Sequence, residues 1–268
     1  MTRALDRAAA DVAEHKRLGL GRLLRTVGAT WRRSQRRIWT VAAVLLAAEI
    51  AISFATYLHE LRPQGLRFGA AIKPVHAAVT IWAMIASYRA ILTEDRGIWR
   101  VDGSTLRFIG GAAIEFGLAI ATVMLAQLWM SAMLGALDIG EPAAGTVRIA
   151  GITLVAVLVT IGFLRVQPWL AGLAIGRRDF SLQASWTGTA RMNWPIIASW
   201  ALTLLPLMMV YAAIEMVAAR NAPAGLGHLP IAVAAAMVVT AIAVVSAVLN
   251  AAIFRLISGP AAPLAGGR

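Results

Sequence analysis

Four ionisable residues in this sequence lie well inside long apolar runs, away from their ends, where a charge is unusual and could carry chemistry. They are Glu49, Glu115, Arg165 and Glu215. A charge at the centre of a membrane-spanning helix costs about 2.5–3.5 kcal/mol on insertion scales, so such side chains face protein or water and find partners. Charges of this kind either fix the packing of helices or line a path for a proton, an ion or an anionic substrate.

Three of these residues lie at comparable depths. At ~1.5 Å per helical residue, Arg165 and Glu49 lie about 18 Å, and Glu115 about 12 Å, from the basic residues at the nearest ends of their apolar runs. Each charge shares its helical face with small or polar residues, which suits contact between helices. We therefore predict a buried polar cluster that joins Arg165 to Glu49, Glu115 or both. Glu215 lies close to Arg220 near the end of its run, and we expect it to be a solvated charge at the membrane surface.

Two prolines interrupt the apolar runs. Pro168 follows Arg165 by less than one helical turn, so we predict a kink there, with the carbonyl of Leu164 left for the Arg165 guanidinium or for water. Pro206 predicts a similar disturbance in a later helix. Glycines near the Arg165 face predict close packing against a neighbouring helix: Gly162, Gly172 and Gly176.

Motifs of familiar enzymes and cofactor sites are missing from the sequence. There are no cysteines, which excludes disulfides, thiolate catalysis and thiolate metal sites. No Walker A, HExxH, GxSxG or dinucleotide-binding glycine pattern occurs. The four histidines are scattered and predict neither a metal nor a cofactor site: His15, His59, His76 and His228. We expect His76 to be an interfacial residue, and the protein not to be an enzyme.

The elements that must position these residues follow from composition. Hydrophobic residues make up 59% of the 268 positions and charged residues 14%, against ~45–50% and ~25% in soluble domains. We predict an all-α polytopic membrane protein with a basic cytoplasmic segment at 1–37, a transmembrane domain at 38–257 and a cytoplasmic tail at 258–268. Its six helices are predicted at about 38–58, 70–92, 108–137, 147–176, 194–217 and 230–257.

The distribution of the 25 Lys and Arg residues predicts the orientation. Most of them fall in cytoplasmic segments if both termini are inside, as the positive-inside rule requires. Arginine-rich, alanine-rich usage favours a bacterial source and hence the inner membrane. The net charge of +12 is explained by this orientation rather than by nucleic acid. The basic segment 1–37 could also lie on anionic lipid. Between the fourth and fifth runs we predict a short interfacial helix, capped by Asp179 or Ser181, with Leu182, Trp186 and Met192 towards the membrane.

Two stretches carry a resemblance to a known group of proteins. They are SYRAILTEDRGIWRVDGSTLRF (Ser87–Phe108) and FLRVQPWLAGLAIGRRDFSLQASWTGTARMNWPIIASWALTLLP (Phe163–Pro206). The chain resembles bacterial six-helix membrane proteins of the YciC-like group, which includes the membrane domain attached to some glycerophosphodiester phosphodiesterases. The matching positions are Tyr88, Arg89, Arg165, Pro168, Ala184, Ser185, Trp186, Thr189 and Asn193. The resemblance implies the six-helix architecture, and we do not expect an attached phosphodiesterase domain or its activity.

Two functions remain open from the sequence, with a lipid-processing enzyme as a third alternative behind them. The first is a non-enzymatic scaffold or accessory factor of the bacterial envelope, in which the Arg and Glu residues hold the helices together. The alternative is a small transporter or channel that uses the same charges as a polar pathway. In the first, replacement of Arg165 lowers thermal stability; in the second, it abolishes flux and leaves folding near normal.

Overall fold

A computed structural model describes residues 19–61, 69–93, 97–136, 141–190, 192–220 and 228–258. These residues form seven α-helices: α1 Leu20–Leu61, α2 Gly69–Leu92, α3 Gly103–Ala136, α4 Glu141–Ala174, α5 Leu182–Ala190, α6 Asn193–Arg220 and α7 His228–Ser258. All except α5 are long and apolar enough to cross a membrane. The prediction of an all-α chain with six such helices is confirmed.

The first helix is longer than the sequence predicted. It begins at Leu20, so much of the basic segment predicted at 1–37 is continuous with the first apolar run. Its buried side chains recur at intervals of four or seven residues in this part, at Leu23, Thr30, Ser34 and Ile38. This spacing places them on one helical face, while Arg25, Arg32, Arg33 and Arg36 are exposed. Apolar runs alone do not identify this part of the helix, because its basic residues lower the local hydropathy.

Two other helices also begin earlier than predicted. α3 begins at Gly103, and the Asp102 carboxylate accepts hydrogen bonds from the backbone N–H groups of Ser104 and Thr105, at 3.0 and 3.1 Å. An aspartate here satisfies donors that have no partner within the helix. α4 begins at Glu141. The predicted tail, apart from Ser258 at the end of α7, lies outside the described residues.

The described residues divide into two compact units where the sequence predicted one bundle. In the first, which comprises those up to Val101 and from Trp194 onwards, α1 packs against α2 and α7, and α2 packs against α7. In the second, Asp102–Asn193, α4 packs against both α3 and α5. At one α3–α4 contact, a Cβ added to Gly111 would lie 2.8 Å from Cδ1 of Leu173. Gly111 therefore permits the close approach that small residues allow between membrane helices.

The three glycines predicted to pack on the Arg165 side of α4 have different surroundings. A Cβ added to Gly162 would meet no atom within 4 Å, so the prediction of a packing contact there is wrong. Gly172 is buried. Gly176 ends the helix: its φ is +81°, its N–H donates to Leu173 O at 3.0 Å, and Arg177 N–H donates to Gly172 O at 3.0 Å. This is the Schellman arrangement, whose left-handed residue favours glycine.

The short helix predicted between the fourth and fifth runs is α5. Ser181 caps it, since its Oγ accepts a hydrogen bond from the Ala184 N–H at 3.1 Å. Asp179, the other candidate cap, instead accepts two hydrogen bonds from Arg177, and these bonds lower the pKa of the Asp179 carboxyl. Trp186 is exposed, as is Leu182, but Met192 is buried, which contradicts its predicted position on the membrane side.

Both predicted proline sites lie within continuous helices, Pro168 in α4 and Pro206 in α6. The kinks at these prolines stay predictions. The backbone carbonyl of Arg165 accepts a hydrogen bond from Ser185 Oγ at 2.6 Å. A donor from α5 thus reaches the turn that precedes Pro168. The carbonyl concerned is one residue beyond Leu164, the one predicted from the sequence.

Candidate functional site

Arg165 is held by side chains of the second unit. Its Nε and Nη2 both donate to Oδ1 of Asn193, at 3.0 and 2.8 Å. Its guanidinium carbon also lies 4.8 Å from the centroid of the Trp186 ring, which is within the range of a cation–π contact. The charge is thus bound by an amide oxygen and an aromatic ring, without a carboxylate in either contact.

The path of the chain after α4 explains how these partners reach Arg165. The Gly176 cap ends α4, and the Ser181 cap starts α5 a few residues later. α5 then packs against α4, so that Trp186 reaches the guanidinium and Ser185 reaches the Arg165 carbonyl. Two caps and one short helix therefore assemble the Arg165 site.

Glu115 has a different partner from the one predicted. Gln167 Nε2 donates to its two carboxylate oxygens, at 3.3 and 3.4 Å, and both side chains are buried. Within the part of the second unit that the structure describes, no ion pair joins Arg165 to Glu115, so that predicted pair is wrong. Positions two apart on a helix are about 200° apart. Gln167 and Arg165 consequently point to different neighbours, Gln167 to α3 and Arg165 to α5.

Glu49 has its contact within the first unit. Its carboxylate is 7% exposed, and its two oxygens lie 3.1 and 3.0 Å from His76 Nε2. His76 is 46% exposed, and both residues line a cavity of about 380 Å³ that Tyr211 and Glu215 also line. Glu215 is exposed, and its solvated position at the membrane surface stays a prediction. The pairing of His76 with Glu49 was not predicted from the sequence, since nothing local links the two helices.

Residues that carry the sequence resemblance occupy buried or partly buried polar contacts. Ser185, Trp186 and Asn193 surround Arg165, as described above. In the first unit, Tyr88 and Arg89 are buried: the Tyr88 hydroxyl accepts a hydrogen bond from Asn250 Nδ2 at 3.2 Å, and Arg89 Nη1 donates to the Arg100 carbonyl. The quoted stretches thus contained the partners of Arg165. Their grouping around it was not predicted from the sequence.

The described ranges contain no cluster of metal-ligating side chains. No group of three or more His, Cys, Asp or Glu side chains able to hold a metal ion lies among them. Of the four histidines, His76 alone is described together with its side chain, and it pairs with Glu49.

The fold and these contacts define an all-α integral membrane protein with polar contacts inside apolar helices. No protein-family model matches the chain, and no curated protein and no solved structure matches it. The resemblance to the YciC-like group therefore stays a prediction.

Proposed function

We propose that the protein is a non-enzymatic scaffold or accessory factor of the bacterial envelope, built on its membrane-spanning helices. The observation that carries this proposal is the way Arg165 is held. Its guanidinium donates two hydrogen bonds to Asn193 and lies against Trp186, so it contacts protein side chains on two sides. Such a contact fixes α5 and Asn193 relative to α4 within the second unit, and a rigid platform requires fixed contacts of this kind.

The proposal includes an orientation with both termini in the cytoplasm of a bacterial inner membrane. The positive-inside distribution of Lys and Arg supports this arrangement. Because the chain has no cysteine, single cysteines introduced by Arg178→Cys and Gln64→Cys can be labelled in intact cells with a membrane-impermeant maleimide. We expect labelling at position 64 in intact cells and at position 178 only after lysis. The reverse pattern refutes the orientation.

A test of the scaffold function is complementation in cells that lack the gene. We would compare the wild type, Arg165→Ala and the double variant Glu49→Gln/His76→Ala for growth in detergent and for leakage of a periplasmic marker. A scaffold requires the Arg165 contact, so Arg165→Ala should fail to restore the envelope while the double variant restores it. Full complementation by Arg165→Ala contradicts the proposed role.

A second candidate function, a transporter or channel, is favoured by the cavity in the first unit. It holds Glu49 and Glu215, with His76 and Tyr211 beside them. Two carboxyl groups and a histidine suit a proton or a cation better than an anion, and ionisable residues inside membrane segments often serve transport. This candidate places the polar pathway at Glu49 rather than at Arg165.

The transport candidate can be tested in proteoliposomes with protons, Na⁺ and K⁺ as the probes. Glu49→Gln removes the charge from the cavity, whereas Glu115→Gln removes a carboxylate that lies in the other unit and contacts Gln167. Transport through the cavity predicts loss of flux in the first variant and retention in the second. Equal flux for the wild type, for both variants and for empty liposomes refutes it.

A further inference from the structure

A cleft of about 560 Å³ lies in the first unit, between the N-terminal part of α1 and the last turns of α7. Four of its lining residues are arginines: Arg22, Arg25, Arg33 and Arg255. The other described lining residues are threonines and an alanine, so the part of the lining that the structure describes has no acidic side chain. Its volume lies in the ~300–1,000 Å³ range of small-ligand sites.

The period of the α-helix places the α1 arginines along the cleft. Arg22 and Arg33 are three turns apart, or roughly 16 Å, and lie within about 20° of each other around the helix. Arg25 lies about 60° from Arg22 on the same side. Arg22 and Arg25, which are three residues apart, are close enough for their like charges to repel each other. The repulsion decreases when an anion lies between them.

Arg255 gives the cleft a fixed positive charge. Its Nη1 donates to Thr30 Oγ1 at 3.2 Å and its Nη2 donates to the carbonyl of Ile91 at 2.6 Å. Thr30 is buried in α1 and Ile91 is buried in α2, so neutral groups of two helices hold the guanidinium in place. Neither of these two acceptors is a carboxylate, so neither neutralises the positive charge of Arg255.

We propose that this cleft binds a phosphate group, carried either by an anionic lipid headgroup or by a soluble phosphate compound. Guanidinium groups bind phosphate through paired, charge-assisted hydrogen bonds, and arginine is favoured where such recognition is required. A phosphate between α1 and Arg255 offsets the repulsion among the arginines and links the start of α1 to the end of α7. The site is independent of the Arg165 contact and of the cavity at Glu49, so it holds whether or not the scaffold proposal does.

The test uses the full-length protein, purified in an uncharged detergent at physiological salt. The probes are dioctanoyl phosphatidylglycerol, dioctanoyl phosphatidylcholine and inorganic pyrophosphate, with affinity measured by thermophoresis. The variant Arg22→Gln/Arg33→Gln removes two charges from the cleft. The matched control Arg32→Gln/Arg36→Gln removes two charges from exposed positions of the same helix that do not line the cleft.

We expect the wild type to bind at least one anionic probe, and the cleft variant to bind it about 30-fold more weakly, since each basic residue contributes about fivefold near an anionic surface. The control should lose less than about threefold. Binding of phosphatidylglycerol without pyrophosphate identifies the lipid as the source, and binding of pyrophosphate identifies a soluble compound. If the double cleft variant misfolds, the single variant Arg25→Gln should still lose about fivefold.

Three outcomes overturn the proposal. The first is that the wild type binds neither anionic probe. The second is that phosphatidylcholine binds as tightly as phosphatidylglycerol while pyrophosphate does not bind. The third is an equal loss of affinity in the cleft and control variants, because a diffuse positive field would give the same result at both places.

Discussion

Replacement of Arg165 and Asn193 tests most directly how the second unit is held together. Arg165→Ala removes two charge-assisted hydrogen bonds and the contact with Trp186, whereas Asn193→Ala removes the acceptor of both hydrogen bonds and leaves the charge in place. We expect each single variant to lower the free energy of unfolding. The double variant should lose less than the sum of the two, because the shared interaction can be lost only once.

The magnitude of the coupling follows from two ranges. Hydrogen bonds to charged groups contribute about 1.5–3 kcal/mol in soluble proteins. Polar pairs in a membrane protein average about 0.6 kcal/mol and reach about 1.7 kcal/mol. Both Arg165 bonds meet one acceptor at ordinary distances, and the residue is partly exposed, so we expect a coupling near 1.5 kcal/mol, at the upper end of the membrane range.

The assay is reversible unfolding in mixed micelles, with a double-mutant cycle over the wild type, the two single variants and the double variant. Arg178→Ala is the matched control, since it removes an exposed arginine close in sequence, and it should change the free energy of unfolding by less than about 0.5 kcal/mol. A coupling below about 0.3 kcal/mol, or a loss in Arg178→Ala as large as in Arg165→Ala, would refute the reasoning.

Three further substitutions test the local contacts by the same unfolding measurement. Gly111→Ala should lower the free energy of unfolding by about 0.5–2 kcal/mol, because its Cβ would crowd the side chains of Trp169, Leu170 and Leu173 at once, which outweighs the higher helix propensity of alanine. Gly110→Ala, with open space around it, should not lower the free energy of unfolding, and equal effects of the two variants contradict the close approach. Ser185→Ala should lower the free energy of unfolding by about 0.5–1.5 kcal/mol, because it removes the hydrogen bond to the Arg165 carbonyl in the turn before the proline. Thr187→Ala should lower it less, since Thr187 is exposed and its hydroxyl is bonded within its own helix. Gly176→Ala should lower the free energy of unfolding by about 1–2 kcal/mol, because a residue with a Cβ is strained in the left-handed region. An unchanged stability would show that the end of α4 adopts another conformation.

The contacts of Arg165 and Glu115 could be predicted from the sequence only in part. The depths of Arg165 and Glu115 could be estimated from helical rise, and both residues contact neighbouring elements of the second unit. The partner of each charge could not be derived, because it depends on the rotation of each helix about its axis. Arg165 and Gln167, two positions apart, therefore meet different elements. Asn193 belongs to the stretch Phe163–Pro206 that carries the resemblance, but the sequence of this stretch does not link Asn193 to Arg165.

The sequence by itself determined the class of the protein. Long runs of apolar residues can only be buried in a bilayer as helices with internally satisfied backbones, and this requirement is local to each run. Capping residues such as Ser181 could also be predicted, because a cap depends on residues that are close together in the sequence. The tertiary structure decided what the sequence left open: that Glu49 contacts His76, that Gly162 has open space beside it, and that the arginines at the start of α1 share a cleft with Arg255. These outcomes depend on which helices lie together and on which faces meet, and packing between distant parts of the chain fixes both.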